Sequence, residues 1–301
     1  LFFLLFLFPS IYMEEEKNNN IQQFNYEMLD ECKHAPAIIL ASSRGGGKSV
    51  LLKSLMQYLD KRFKFSHIFA FSQTDKIANG LPFMRQDHIF NNLDNLKSIL
   101  QTRINNPTPI EKLPYICCIF NDIASLREEG RSIKNSESLE QIYSLGRHRR
   151  VVCCTLVQKL TMINPLIRLN SDATFLWVAK SHIVKQKIKE EYLGLAKNKK
   201  ESEAVYEEIF NGTPYNCMVV LQFKQGVTSL TDYIYEFVAP FPAPKWKSKS
   251  LKNMNKKVNK INKKLEEQKK NIFKIYNEVK TNPTLRRSNR IREKTDRRVF
   301  S

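Results

Sequence analysis

The chain has 301 residues, 42% hydrophobic and 26% charged, with only 9 Gly and 12 Pro, a globular composition that excludes a collagen-like or wholly disordered chain. Lys and Arg number 49 against 30 Asp and Glu, a formal charge of +19. The excess sits at one end: residues 245–301 hold 20 basic and 5 acidic side chains, or +15, which leaves +4 for the other 244 residues. A near-neutral body with a basic appendage points to a polyanionic partner such as nucleic acid, or less often an anionic membrane face.

The opening LFFLLFLF is apolar for eight residues, whereas a spanning helix needs roughly twenty, so no membrane span is expected. It lacks the basic start and small-residue cleavage site of a signal peptide. With Met13 as a plausible start, residues 1–12 are expected to be an upstream translation artefact within an N-terminal segment of residues 1–35. A first buried strand is predicted at residues 37–41 (AIILA), ended by the turn at Gly45 to Gly47. Leu51, Leu52, Leu55, Met56 and Leu59 then fall at helical spacing. Further strands are predicted at residues 67–71, 115–120, 151–157, 173–178, 217–223 and 233–237. Between them come a helix at 89–101, a polar loop at 127–137, a short helix near 138–146 and a charged helical region at 183–210. Apolar runs alternating with helical patterns indicate an α/β fold with a mainly parallel sheet flanked by helices. Pro240, Pro242 and Pro244 close this body, giving a domain at 36–240 and a basic tail at 241–301. Within the tail, residues 255–280 suit a basic amphipathic helix and 281–301 a disordered end. No internal repeat is present.

The six cysteines include no C-x-x-C pair that would hold zinc or form a redox couple. Cys117-Cys118 and Cys153-Cys154 fall in predicted strands, where neighbours point to opposite faces, so they read as small buried apolar residues of a chain kept reduced.

Residues 42–49, SSRGGGKS, match G-x-x-x-x-G-K-[ST] except that Ser42 stands at the first glycine. A triphosphate needs inward-pointing backbone N–H groups, side-chain-free residues where the chain wraps closely, and a helix amino terminus to meet its charge. Gly45, Gly46 and Gly47 meet the second need and the helix from Lys48 the third. Ser42, Arg44, Gly45, Gly46, Gly47, Lys48, Ser49 and Val50 are therefore the expected nucleotide contacts. Lys48 would reach the β- and γ-phosphates of ATP and the Ser49 hydroxyl would ligate Mg2+. A Gly-rich turn ahead of an ordinary helix is the plainer alternative, disfavoured by a strand and a helix in the right places.

The strand at 115–120 ends in Asn121-Asp122, where a P-loop translocase has two carboxylates, one for the Mg2+ shell and one to deprotonate the attacking water. Either Asp122 serves the metal directly, or Asn121 makes a weaker metal-water contact while Asp122 is the base; alignment to the strand end favours the second. The strand at 151–157 ends in Gln158, whose amide both accepts from and donates to a water in line with the γ-phosphate.

Together, RGGGKS at residues 44–49, the apolar strand ending Asn121-Asp122, LGRH at 145–148 followed by a strand and Gln158, and IRLNSD at 167–172 resemble the viral genome-packaging ATPases of the FtsK–HerA superfamily. The likeness is to those of poxviruses, other large nucleocytoplasmic DNA viruses and virophages, over about residues 36–240. It implies ATP hydrolysis driving double-stranded DNA into a capsid, in a homo-oligomeric ring, commonly a hexamer, with nucleotide at subunit interfaces. It also implies capsid proteins as possible partners and a viral assembly site, or the virion, as the location. An arginine from the neighbouring subunit would reach the γ-phosphate, with Arg147 the first candidate and Arg168 the second. His148 reads as structural, and Arg149 and Arg150 as facing solvent or DNA. The opposing class is a nucleotide-binding regulatory component in which Asn121 has cost turnover; a small-molecule kinase would share the loop but give no reason for the basic tail.

Overall fold

The computed structural model describes residues 21–78, 81–121, 123–133, 136–211 and 215–281. Asp122, the segment before residue 21 and nearly all of the expected disordered end lie outside these residues. The chain forms two compact units, one ending at Ser248 and the other beginning at Lys249.

In the first unit the strands are β1 (Gln22–Gln23), β2 (Ala37–Ala41), β3 (His67–Phe71), β4 (Ile89–Phe90), β5 (Ile116–Phe120), β6 (Arg127–Glu128), β7 (Arg131–Ser132), β8 (Val151–Val157), β9 (Ala173–Trp177), β10 (Asn216–Leu221) and β11 (Ile234–Val238). The helices are α1 (Lys48–Phe63), α2 (Gln73–Ala78), α3 (Asp94–Ile104), α4 (Glu137–Leu145), α5 (Pro165–Leu169), α6 (His182–Tyr192) and α7 (Lys199–Phe210). Nine strands make one sheet in the order β1-β11-β10-β9-β2-β8-β5-β3-β4. From β9 to β4 every neighbouring pair is parallel, with register Ala41 to Val157, Phe120 to Thr155 and Phe71 to Phe120. β10 is antiparallel to β9 and β11, so the sixth predicted strand reverses an otherwise parallel sheet.

Each central strand is buried on both faces, which is why its sequence reads as an unbroken apolar run. Ile39, Cys118 and Cys153 pack in one core layer; Ile38, Leu40, Cys117 and Cys154 pack in the other with Leu51, Leu52, Leu55 and Leu59 of α1. The cysteine pairs thus split across the sheet as expected, and all six thiols are free and buried.

The sheet also takes in elements that no periodicity announces. β1 pairs with β11, and Phe24 packs edge-on against Phe175 and Phe237, so residues 21–35 belong to the body. The helix expected at 89–101 begins at Asp94, because Ile89-Phe90 is taken up as an edge strand beside β3. The expected loop at 127–137 holds a small hairpin, β6–β7, turned by Glu129 (φ 48°) and Gly130 (φ 78°). The region 183–210 is two helices, the second capped by Asn198, whose side chain accepts from the Glu201 N–H at 3.0 Å. Past Pro244 the chain stays on the body: Trp246 lies 5.3 Å from Phe83 and Ser248 N–H donates to Phe83 at 2.8 Å. The body therefore ends at Ser248 rather than at residue 240.

The second unit is α8 (Lys249–Thr281), a single helix longer than predicted at its start. Val258, Ile261, Leu265 and Ile272 form an exposed apolar stripe among its lysines.

Candidate nucleotide-binding site

In a parallel sheet, ligands collect beyond the carboxyl ends of the strands. Here three such ends converge: β2 runs into the glycine loop, β8 beside it ends at Gln158, and β5 beyond that ends at Asn121. A cleft of about 370 Å³ lies between them, lined by residues 44–50, Asn121, Gln158, Thr74 and Asp75. Every expected phosphate-loop contact except Ser42 faces this cleft, and so do two of the strand-end residues.

Backbone geometry accounts for the glycines. Gly45 (φ 79°) and Gly47 (φ 92°) sit in the left-handed region that side chains rarely adopt, and Gly47 opens α1 as its N-cap. Gly46 serves differently: a Cβ there would lie 1.8 Å from the Ser42 hydroxyl. Ser42 is buried, its N–H donating to Val157 at 3.1 Å and its hydroxyl to the Ser43 carbonyl at 3.1 Å. It thus seals the loop base from behind instead of lining the cleft. The Lys48 ammonium donates to the carbonyls of Ser42 and of Ser43, the latter at 3.0 Å, which folds it over the loop. Arg44 and Ser49 are exposed at the rim.

Asp75 gave no sequence signal. It follows β3, which pairs with β5 at Phe71 and Phe120, so α2 starts beside the end of β5. Ser72 Oγ accepts the Asp75 N–H at 3.1 Å, and the Asp75 carboxylate, 7% exposed, accepts from Asn121 Nδ2 at 2.5 Å.

The two arginines expected at a neighbour's phosphate do not line this chain's own cleft, and they differ from each other. Arg147 is in the short 3-10 turn Gly146–Arg149 that leads into β8, so the seven residues of β8 separate it from the cleft. It is half-buried, and its Nε has no hydrogen-bond partner among the described residues. Arg168 is buried: Nε donates to Glu191 at 2.6 Å and Nη1 to the carbonyls of Leu160 and Ile163 at 3.2 and 2.7 Å. That is an internal brace, with the guanidinium engaged within its own chain. Arg150, expected to face solvent or DNA, also packs inward, with Nη1 on the Leu113 carbonyl at 3.0 Å and its guanidinium 4.7 Å from the Tyr115 ring centre. His148 is exposed.

Donor atoms of Cys32, His34 and Asp172 lie within 4.8 Å of one another, a grouping that sequence spacing did not reveal. Asp172 Oδ1 bonds His34 Nε2 at 2.9 Å and Oδ2 accepts the Ala37 N–H at 2.8 Å, which ties the segment before β2 to the start of β9. Burial and the nearby Asp172 charge push the Cys32 thiol up to about 11.

No family model matches the chain. An uncharacterised protein of Acanthamoeba polyphaga mimivirus is 22% identical over 237 residues, or 74% of this chain and 79% of that protein. Among solved structures, the chain is similar to the genome packaging NTPase B204 of Sulfolobus turreted icosahedral virus 2 bound to ATP-γS, at 13% identity and a TM-score of 0.45, over 67% of this chain and 98% of that one. It is also similar to the pCW3 conjugation coupling protein TcpA with ATPγS, at 14% identity and a TM-score of 0.48, over 69% of this chain and 61% of that one. At these identities the likeness is one of fold.

Proposed function

We propose that this chain is a viral motor ATPase that hydrolyses ATP to move double-stranded DNA, in the packaging of a genome. The observation that carries the reading is the convergence of Lys48, Ser49, Asn121 and Gln158 on one cleft from the ends of three neighbouring strands. In this reading the loop amides and the amino end of α1 receive the triphosphate, and Lys48 exchanges its carbonyl partners for the β- and γ-phosphate oxygens. The Ser49 hydroxyl and the Asn121 amide oxygen would hold Mg2+ or its water; when bound, the ion draws charge from the phosphate oxygens. Polar oxygens at the cleft wall suit such a hard cation. Asp122 takes the proton of the attacking water, and Gln158 fixes that water's orientation by accepting and donating.

Arg147, at the opposite end of β8 from its own cleft, would serve a neighbour's γ-phosphate in a ring, hexameric by family likeness; such fingers are worth about 10³ to 10⁵ in rate in other NTPases. Lysines of α8 supply phosphate contacts along duplex DNA. Capsid proteins and a viral assembly site complete the proposal.

The alternative of a nucleotide-binding regulator is favoured by one observation, the amide at position 121 where a carboxylate is expected. Steady-state ATP hydrolysis with and without duplex DNA separates the two. A motor shows DNA-stimulated turnover that Lys48→Ala abolishes; a regulator shows saturable nucleotide binding and no turnover.

A further inference from the structure

The cleft lacks a charge at position 121. An amide oxygen is a ligand without charge, whereas a Mg2+-nucleotide site holds its ion through one or two carboxylates together with the phosphates. Asp75 provides a carboxylate at that point. It lines the cleft with Ser49 and Asn121, it is 7% exposed, and none of the ion pairs among the described residues involves it. A carboxylate so shielded from water, with one amide donor on it and no cation paired with it among the described residues, favours a positive ligand. The Asn121 Nδ2 bond at 2.5 Å and the Ser72 cap on its N–H hold it in place.

We infer that Asp75, carried by α2 after the strand next to β5 rather than by β5 itself, is the metal-side carboxylate of this site, and that Asn121 is its positioning partner. The pair divides between the end of β5 and the start of α2 what two consecutive acidic residues do on one strand: Asn121 orients and Asp75 carries the charge. This inference rests on the nucleotide-binding reading above. It also explains why an amide at position 121 is compatible with a metal site, since a carboxylate in both positions would set two negative charges at the 2.5 Å contact that Asn121 now bridges as a donor.

The test uses the full chain with a non-hydrolysable ATP analogue and Mn2+ as a paramagnetic probe. Metal affinity is read from free Mn2+ in solution, and analogue affinity is measured separately in excess chelator. Asp75→Asn keeps the acceptor for Asn121 and removes the charge. It is expected to leave chelator-independent analogue binding intact while weakening Mn2+ binding about ten- to a hundredfold, the range found when a supporting group at a metal site is removed. Adding Asn121→Asp to Asp75→Asn returns the charge to β5 and is expected to restore most of that affinity. Unchanged Mn2+ affinity in Asp75→Asn overturns the assignment. A wild-type chain that binds no analogue at all overturns the nucleotide reading itself, and the role of Asp75 with it.

Discussion

The Ser42 hydroxyl occupies the space that a side chain on Gly46 would need, with 1.8 Å between Oγ and the position of a Cβ. A serine at the first glycine of the loop pattern is thus accommodated because Gly46, the second of the three consecutive glycines, carries no side chain. Gly46→Ala should cost about 1 to 3 kcal/mol of stability, the usual cost of overpacking, and should weaken nucleotide binding. Ser42→Gly alone should be mild, and Ser42→Gly with Gly46→Ala should recover most of the loss, because the next contact is Ser43 O at 3.4 Å. Thermal unfolding and nucleotide titration of the four proteins measure the coupling.

Arg147 and Arg168 should separate cleanly. Arg168→Ala leaves Glu191 and two carbonyls without their donor in a buried place, so a loss of about 3 kcal/mol is expected in denaturant unfolding. Arg147→Ala should leave stability near that of the wild type and lower turnover at concentrations where the ring assembles. Equal destabilisation by both would remove Arg147 from the interface role.

Asn121 and Asp75 are 46 positions apart in sequence, and their contact shows where reading from sequence stops. The core strands β2, β5 and β8 were legible because each is a continuous apolar run, and α1 because five leucines and methionines repeat at its period. From the loop pattern and the strand ends, Lys48, Ser49, Asn121 and Gln158 were legible as one group. Asp75 was not, since it is an ordinary acidic residue until β3 pairs with β5 and sets it at the cleft. Two-residue strands such as β1 and β4 carry no period at all, so Ile89-Phe90 was absorbed into the following helix pattern. Arg168 looked like a free cation because sequence shows charge and hides burial.

The thiols offer a check on the core. Burial raises Cys32 to about 11 and Cys118 to about 12 from an ordinary value of 9.0, so the thiolate fraction of Cys32 near neutral pH falls roughly a hundredfold. All six cysteines should resist a thiol-specific alkylating reagent in the native protein at pH 8 and react together once it is unfolded. Rapid labelling of Cys117, Cys118, Cys153 or Cys154 without unfolding would contradict the described sheet.

The basic helix is removable at a defined point. Because Trp246 and Ser248 hold to Phe83, a truncation at residue 245 would damage the body, so the helix is removed by deleting 249–301. If about six cations of the deleted segment meet phosphates, log K for duplex DNA against log salt has a slope near −5 in the full chain. The truncated chain should show a shallower one, and an equal slope in both would take the helix out of DNA binding.

The most direct measurement is calorimetric titration of the full chain with an ATP analogue and Mg2+, beside Lys48→Ala. Saturable binding at one site per chain, lost in Lys48→Ala while the fold is kept, is the result expected of a phosphate-gripping loop at residues 42–50. Absence of heat in the wild type, or equal binding in Lys48→Ala, would contradict it.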